Sequence, residues 1–103
     1  MQSTDTNNAT DAKPARRTIR LTSDDTGYEY EFAWPQTHHI SRFTREVSAN
    51  PTKAHNNMVM DLRLAPEKEV LLERIKEKPG LVVALGNEIG KACGLTEEFT
   101  VKN

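Results

Sequence analysis

At 103 residues the chain has room for one domain with a modest buried fraction, and 36% hydrophobic with 28% charged residues fits a polar-surfaced globule. The net charge of -1 gives no global field toward nucleic acid or anionic lipid, and no apolar run approaches the ~20 residues that span a bilayer. A single cysteine, Cys93, excludes an internal disulfide and fits a reducing cytoplasm, and the start, MQSTDTNNAT, lacks the basic and apolar regions of a secretory signal.

Residues 1–16 are rich in Thr, Asn, Asp and Ser without apolar periodicity, so a disordered N-terminal arm is expected. A globular domain over 17–95 and a short tail over 96–103 complete the chain.

The domain opens with a predicted two-stranded antiparallel hairpin over 17–34. Ile19 and Leu21 alternate with Thr18, Arg20 and Thr22; Tyr28, Tyr30, Phe32 and Trp34 then share one face opposite Glu29 and Glu31. Asp24-Asp25-Thr26-Gly27 supplies the turn, ending on a residue that tolerates positive φ. A lone hairpin is marginal in water, so the aromatic face needs a cover. Pro35 ends the second strand.

Four short helices are predicted next, at about 37–48, 51–64, 66–78 and 80–93, packed on the hairpin in an α+β fold. Thr37 is the candidate cap of the first, whose stripe is Ile40, Phe43 and Val47. Asn50-Pro51 is a stronger start, a capping residue followed by proline in the first turn, for a helix with Ala54, Met58, Val59 and Leu62 on one face. Ala65-Pro66 breaks that helix and opens the third, with Glu67 and Glu69 in its first turn and a stripe of Leu71, Leu72 and Ile75. Pro79 stops it. The fourth presents Leu81, Leu85, Ile89 and Ala92, with Gly94 in the left-handed C-cap position and Leu95 as the accompanying apolar contact. In the tail, Phe99 and Val101 are placed to pack back on the domain.

No residue pattern announces catalysis, so a non-enzymatic protein without cofactor or metal is expected. His38-His39 with His55 is the one cluster that hints at a metal, but adjacent helical residues point about 100° apart and no cysteine or carboxylate joins them. Cys93 lacks a base or a helix N-terminus beside it and reads as a small apolar side chain. Glycines 86, 90 and 94 recur at helical spacing, whereas a phosphate cradle needs glycines in a loop before a helix.

The features that suit binding are a partner surface at Tyr28 and Tyr30, the bare ridge of Gly86 and Gly90, and the acidic row Glu69, Glu73 and Glu77. Interior glycines cost about 1 kcal/mol each against alanine, so close packing, within the chain or against a partner, has to offset them. Pairing with a second copy through the hairpin edge or the ridge is open. The alternative is a small helix-turn-helix DNA-binding regulator over Thr37 to Leu64, where four bases face two acids. Its reading helix offers only Lys53, His55, Asn56, Asn57 and Arg63, beside Asp61, so nucleic acid is not favoured.

The order of features resembles the small tail-assembly chaperones of long-tailed bacteriophages and their prophage relatives. The residues that carry it are Tyr30-x-Phe32-x-x-Pro35, Ile40-x-x-Phe43-x-x-Glu46 and Pro51-x-Lys53-Ala54-x-Asn56-Asn57-Met58. Ala65-Pro66-Glu67, Leu71-Leu72-x-x-Ile75-x-x-x-Pro79-Gly80-Leu81, Ile89 and Gly94 follow. This is a pattern of helix punctuation, and Ala65 departs from it because serine or threonine would cap the third helix better. The resemblance implies a short, non-enzymatic protein of the host cytoplasm that coats apolar stretches of the tape-measure protein and recruits tail-tube subunits.

Overall fold

A computed structural model describes residues 17–102, so the expected arm over 1–16 lies outside the described residues. The fold is α+β, with a three-stranded antiparallel sheet in the order β1-β2-β3 and four helices. Strands β1 (Thr18–Thr22) and β2 (Glu29–Ala33) form the expected hairpin, Ile19 facing Phe32 and Leu21 facing Tyr30. Its turn is held by Ser23, whose Oγ accepts from the amides of Asp25 and Thr26, both at 3.2 Å. Gly27 takes φ +75° and donates to Ser23 O at 2.9 Å. That backbone region favours glycine.

Helix α1 (Thr37–Val47) is capped by Gln36, one residue before the predicted Thr37. The backbone N–H of Gln36 donates to Nδ1 of His39 at 2.9 Å, the return half of a capping box in which histidine replaces the usual glutamate. Helix α2 (Pro51–Leu62) starts as expected, with the Asn50 side chain accepting from Lys53 N at 3.0 Å.

The second helix does not reach Leu64. Pro66 disfavours helical backbone at the residue before it, so the chain extends and pairs with the open edge of β2. Strand β3 (Arg63–Ala65) results, a third strand absent from the expected hairpin, with Phe32 facing Arg63, Glu31 facing Ala65 and a bulge between. The Ala65–Pro66 peptide is cis. Helix α3 (Lys68–Glu77) therefore begins two residues later than predicted, with Glu67 at its cap.

The core joins Ile19, Tyr30 and Phe32 of the sheet to Met58, Val59 and Leu62 of α2, with Leu71 of α3 and Val82, Leu85 and Ile89 of α4 (Leu81–Cys93). Helix α2 is the central element, in contact with α1, α4 and β2. Not every helix packs on the hairpin: α1 lies against α2, and none of its residues is fully buried. The α3 stripe is narrower than expected, because Leu72 is exposed and Ile75 half-buried. The inner face of α4 is rotated from the predicted stripe. Val82, Leu85, Gly86, Ile89 and Gly90 are buried, while Leu81 is half-buried and Ala92 exposed.

Gly94 closes α4 at φ +96°, and the amide of Leu95 donates to Gly90 O at 2.8 Å in the wrap expected of a left-handed cap. Phe99 and Val101 do not fold back. Each is 83% exposed. No described helix is long and apolar enough to cross a membrane.

Candidate functional site

Two of the three histidines are committed to local structure. His39 holds the α1 start through Nδ1, and Nδ1 of His55 lies 2.8 Å from Pro51 O, with its ring edge-on to Phe43 at 5.1 Å between centroids. The His38 and His39 rings sit 4.0 Å apart, tilted. Burial, then the neighbouring His38, holds the His39 imidazole below its ordinary value, with Asp61 opposing. No three His, Cys, Asp or Glu among the described residues come together as a metal site. Cys93 is half-buried, its Sγ 3.8 Å from Gly90 O.

Gly86 and Gly90 are buried, so of the two packings open to the ridge, within the chain or against a partner, the one within the chain is found. Gly86 packs under the His55 ring, and a side chain there would overlap the imidazole. Gly90 lies under Leu95, where an added Cβ would sit 3.4 Å from the Leu95 Cβ. The close neighbours come from α2 and from the chain just after α4, not from the hairpin.

Tyr28, Tyr30 and Glu77 do come together, around a groove between the hairpin tip, the end of α3 and the start of α4. Its volume is about 450 Å³. The hairpin contributes Ser23, Asp25, Thr26 and the two tyrosines; α3 and the following corner contribute Arg74, Glu77, Lys78 and Gly80; α4 contributes Leu81 and Ala84. A second depression of about 460 Å³ shares Ser23, Asp25, Tyr30, Leu81 and Ala84 and extends the groove along α4 past Leu85 to Glu88. Lys78 and Gly80, either side of Pro79, thus stand at one end of a surface channel.

The aromatic face of β2 explains the floor. Alternation puts Tyr28, Tyr30, Phe32 and Trp34 on one side; Phe32 is fully buried and Tyr30 nearly so, while Tyr28 at the end of the ladder keeps 45% exposure. Arginines cover both ends of the row. Arg17 lies over the Trp34 ring at 3.8 Å, and Arg74 over Tyr28 at 4.0 Å and Tyr30 at 5.3 Å. Such contacts contribute about 0.5–2 kcal/mol depending on desolvation. Nη1 of Arg74 is buried and has no hydrogen-bond partner. Arg74 was not among the expected site residues. Its meeting with Tyr28 is set by tertiary packing, and local periodicity carries no signal for it.

Glu69 and Glu73, the rest of the acidic row, are exposed on α3 but do not line the groove. A further depression, of about 390 Å³, lies on the outer face of the sheet, where Glu31 meets Arg20 at 3.6 Å and accepts from Thr18 Oγ1 at 2.9 Å.

Of the residues expected to read DNA, Lys53 is exposed and His55, Asn56, Asn57 and Arg63 are half-buried, while the opposite face of α2 packs into the core. Ala54, Met58, Val59 and Leu62 are buried, and α1 and α4 both contact α2. Arg42 is tied to Asp61 at 2.8 Å and to Glu46 at 3.3 Å. Glu46 also accepts from Asn57 Nδ2 at 3.2 and 3.3 Å, and this bond is the leading cause that lowers its carboxyl below the ordinary value.

The fold is shared with a solved structure, that of the uncharacterised protein rbstp2171 from Bacillus stearothermophilus. The TM-score is 0.76 at 23% sequence identity, covering 85% of this chain and 92% of that one. No curated protein matches the chain. A family model described as a domain of unknown function matches residues 17–102, and on that match the chain belongs to the DUF6848 family.

Proposed function

We propose that the protein is a non-enzymatic binding module that holds a segment of another protein during assembly. The observation that carries this reading is the groove beside Tyr28: an accessible surface between three elements, with the half-exposed Tyr28 ring, Leu81 and Ala84 on its floor. The groove is lined by tyrosine, leucine and alanine, with no cluster of nucleophile, base and oxyanion donors converging in it.

The resemblance in helix punctuation gives the binding role its client. In that reading the protein is a phage or prophage tail-assembly chaperone of the host cytoplasm, its clients the tape-measure and tail-tube proteins. Co-expression with tape-measure fragments tests it. A soluble complex that survives purification is the expected result, and failure of every fragment to co-purify sinks the chaperone assignment. A DNA-binding role is less well supported, since α2 offers few bases to a duplex and Arg42 beside it is paired with Asp61 and Glu46.

A further inference from the structure

The proposed binding role leaves open which chemistry the partner presents, and the charges around the groove bear on that. The floor is Tyr28, Tyr30, Leu81 and Ala84. The rim carries Asp24, Asp25, Glu77 and Glu88 against Arg74 and Lys78. Glu88 is paired with Lys91 at 3.0 Å. Arg74 lies on the tyrosine rings with one guanidinium nitrogen buried. Asp24, Asp25 and Glu77 make no ion pair among the described residues, so three carboxylates face two cations, the guanidinium of Arg74 and the ammonium of Lys78, and the rim keeps an acidic excess.

From this balance we infer that the groove binds a short amphipathic segment of another protein, with apolar side chains on the floor and lysine or arginine against the acidic rim. The inference rests on the protein-binding reading and adds the chemistry of the ligand. Charge complementarity of this kind selects partners and steers encounter more than it adds raw affinity. It also argues against self-occupancy. The exposed Phe99 and Val101 of a second copy would bring Glu97 and Glu98, against the single base Lys102, to a rim that is already acidic.

The test uses the full chain and two labelled amphipathic peptides, one of leucines and lysines and one with glutamate for every lysine. Fluorescence anisotropy should give the Leu/Lys peptide a Kd on the order of 10 μM, with the Leu/Glu peptide at least about tenfold weaker. Ala84→Arg, at an exposed position on the floor, should weaken the Leu/Lys peptide about tenfold or more. Asp25→Lys combined with Glu77→Lys should do the same and reverse the preference between peptides. Circular dichroism and unfolding midpoints confirm that each variant is folded, and either variant alone suffices.

Equal binding of the two peptides, no binding, or binding indifferent to both variants overturns the inference. So does a concentration-dependent dimer that is lost on truncation after Leu95, since the groove would then hold the tail. Capture of a tape-measure fragment by wild type and Ala84→Arg alike would remove the groove and keep the chaperone. Discriminating peptide binding without any tape-measure capture would keep the groove and remove the chaperone.

Discussion

The imidazole of His55 occupies the space that a side chain on Gly86 would need. One helix carries the ring, held by Pro51 O and Phe43, and the other supplies the gap. Gly86→Ala should gain about 1 kcal/mol of helix propensity and lose about 1–3 kcal/mol to overpacking, for a net loss of stability. In a His55→Ala background the clash is gone, and the same substitution should be neutral or stabilising. Urea unfolding of the four proteins in the cycle measures the coupling. Additive effects would refute the contact. Gly90→Ala is the internal contrast: its Cβ would meet Leu95 at ordinary van der Waals distance, so it should stabilise by roughly 0.5–1 kcal/mol.

His39 sets a pH dependence with a defined sign. The folded state favours the neutral ring, which accepts from the Gln36 amide, and its pKa lies below the ordinary 6.5. The unfolded chain therefore binds the proton more readily, and stability falls as pH drops from about 6.5 through the lower folded value. It is fully present above 6.5. His39→Asn, which keeps an acceptor and removes the titration, should flatten this component of the profile. NMR titration of His39 at or above 6.5 in the folded protein would contradict the assignment.

Helix α1 should open before the rest of the domain. No residue of it is fully buried, and its ties to α2 are the half-buried Phe43 against His55 and two partly exposed polar pairs, Arg42 with Asp61 and Glu46 with Asn57. Exposed ion pairs contribute about 0–1 kcal/mol. Native-state hydrogen exchange should show α1 amides exchanging by local opening while those of α2 and α4 follow global unfolding. Uniform protection across the three helices would count against this two-tier stability.

The elements written in short-range chemistry were legible. Alternation from Tyr28 to Trp34, the Asn50-Pro51 start and Gly94 each state a backbone conformation within a few residues, and each is found where the sequence puts it. Strand β3 was not legible. Arg63-Leu64-Ala65 is too short to alternate, and it becomes a strand because Pro66 excludes helix while β2 offers an open edge. The inner face of α4 was misjudged by a rotation for a similar reason: ranking side chains by size favours Leu81 over Gly86, while the fit to His55 favours the glycine. Of the expected site, Tyr28 and Tyr30 meet Glu77, and Arg74 joins them from the same helix α3, distant in sequence from the hairpin.

The bonds inside the hairpin tip bear on what a partner would meet. Ser23 Oγ accepts from two amides, Thr26 Oγ1 accepts from Tyr28 N at 3.1 Å, and Ser23 N donates to Tyr28 O at 2.9 Å. Asp25 and Tyr28 stand on a backbone already locked into one conformation by its own side chains. Association then leaves little main-chain entropy to lose on this side of the groove. To a bound segment the tip would be a preformed jaw, and the freedom given up on contact would belong chiefly to the incoming segment.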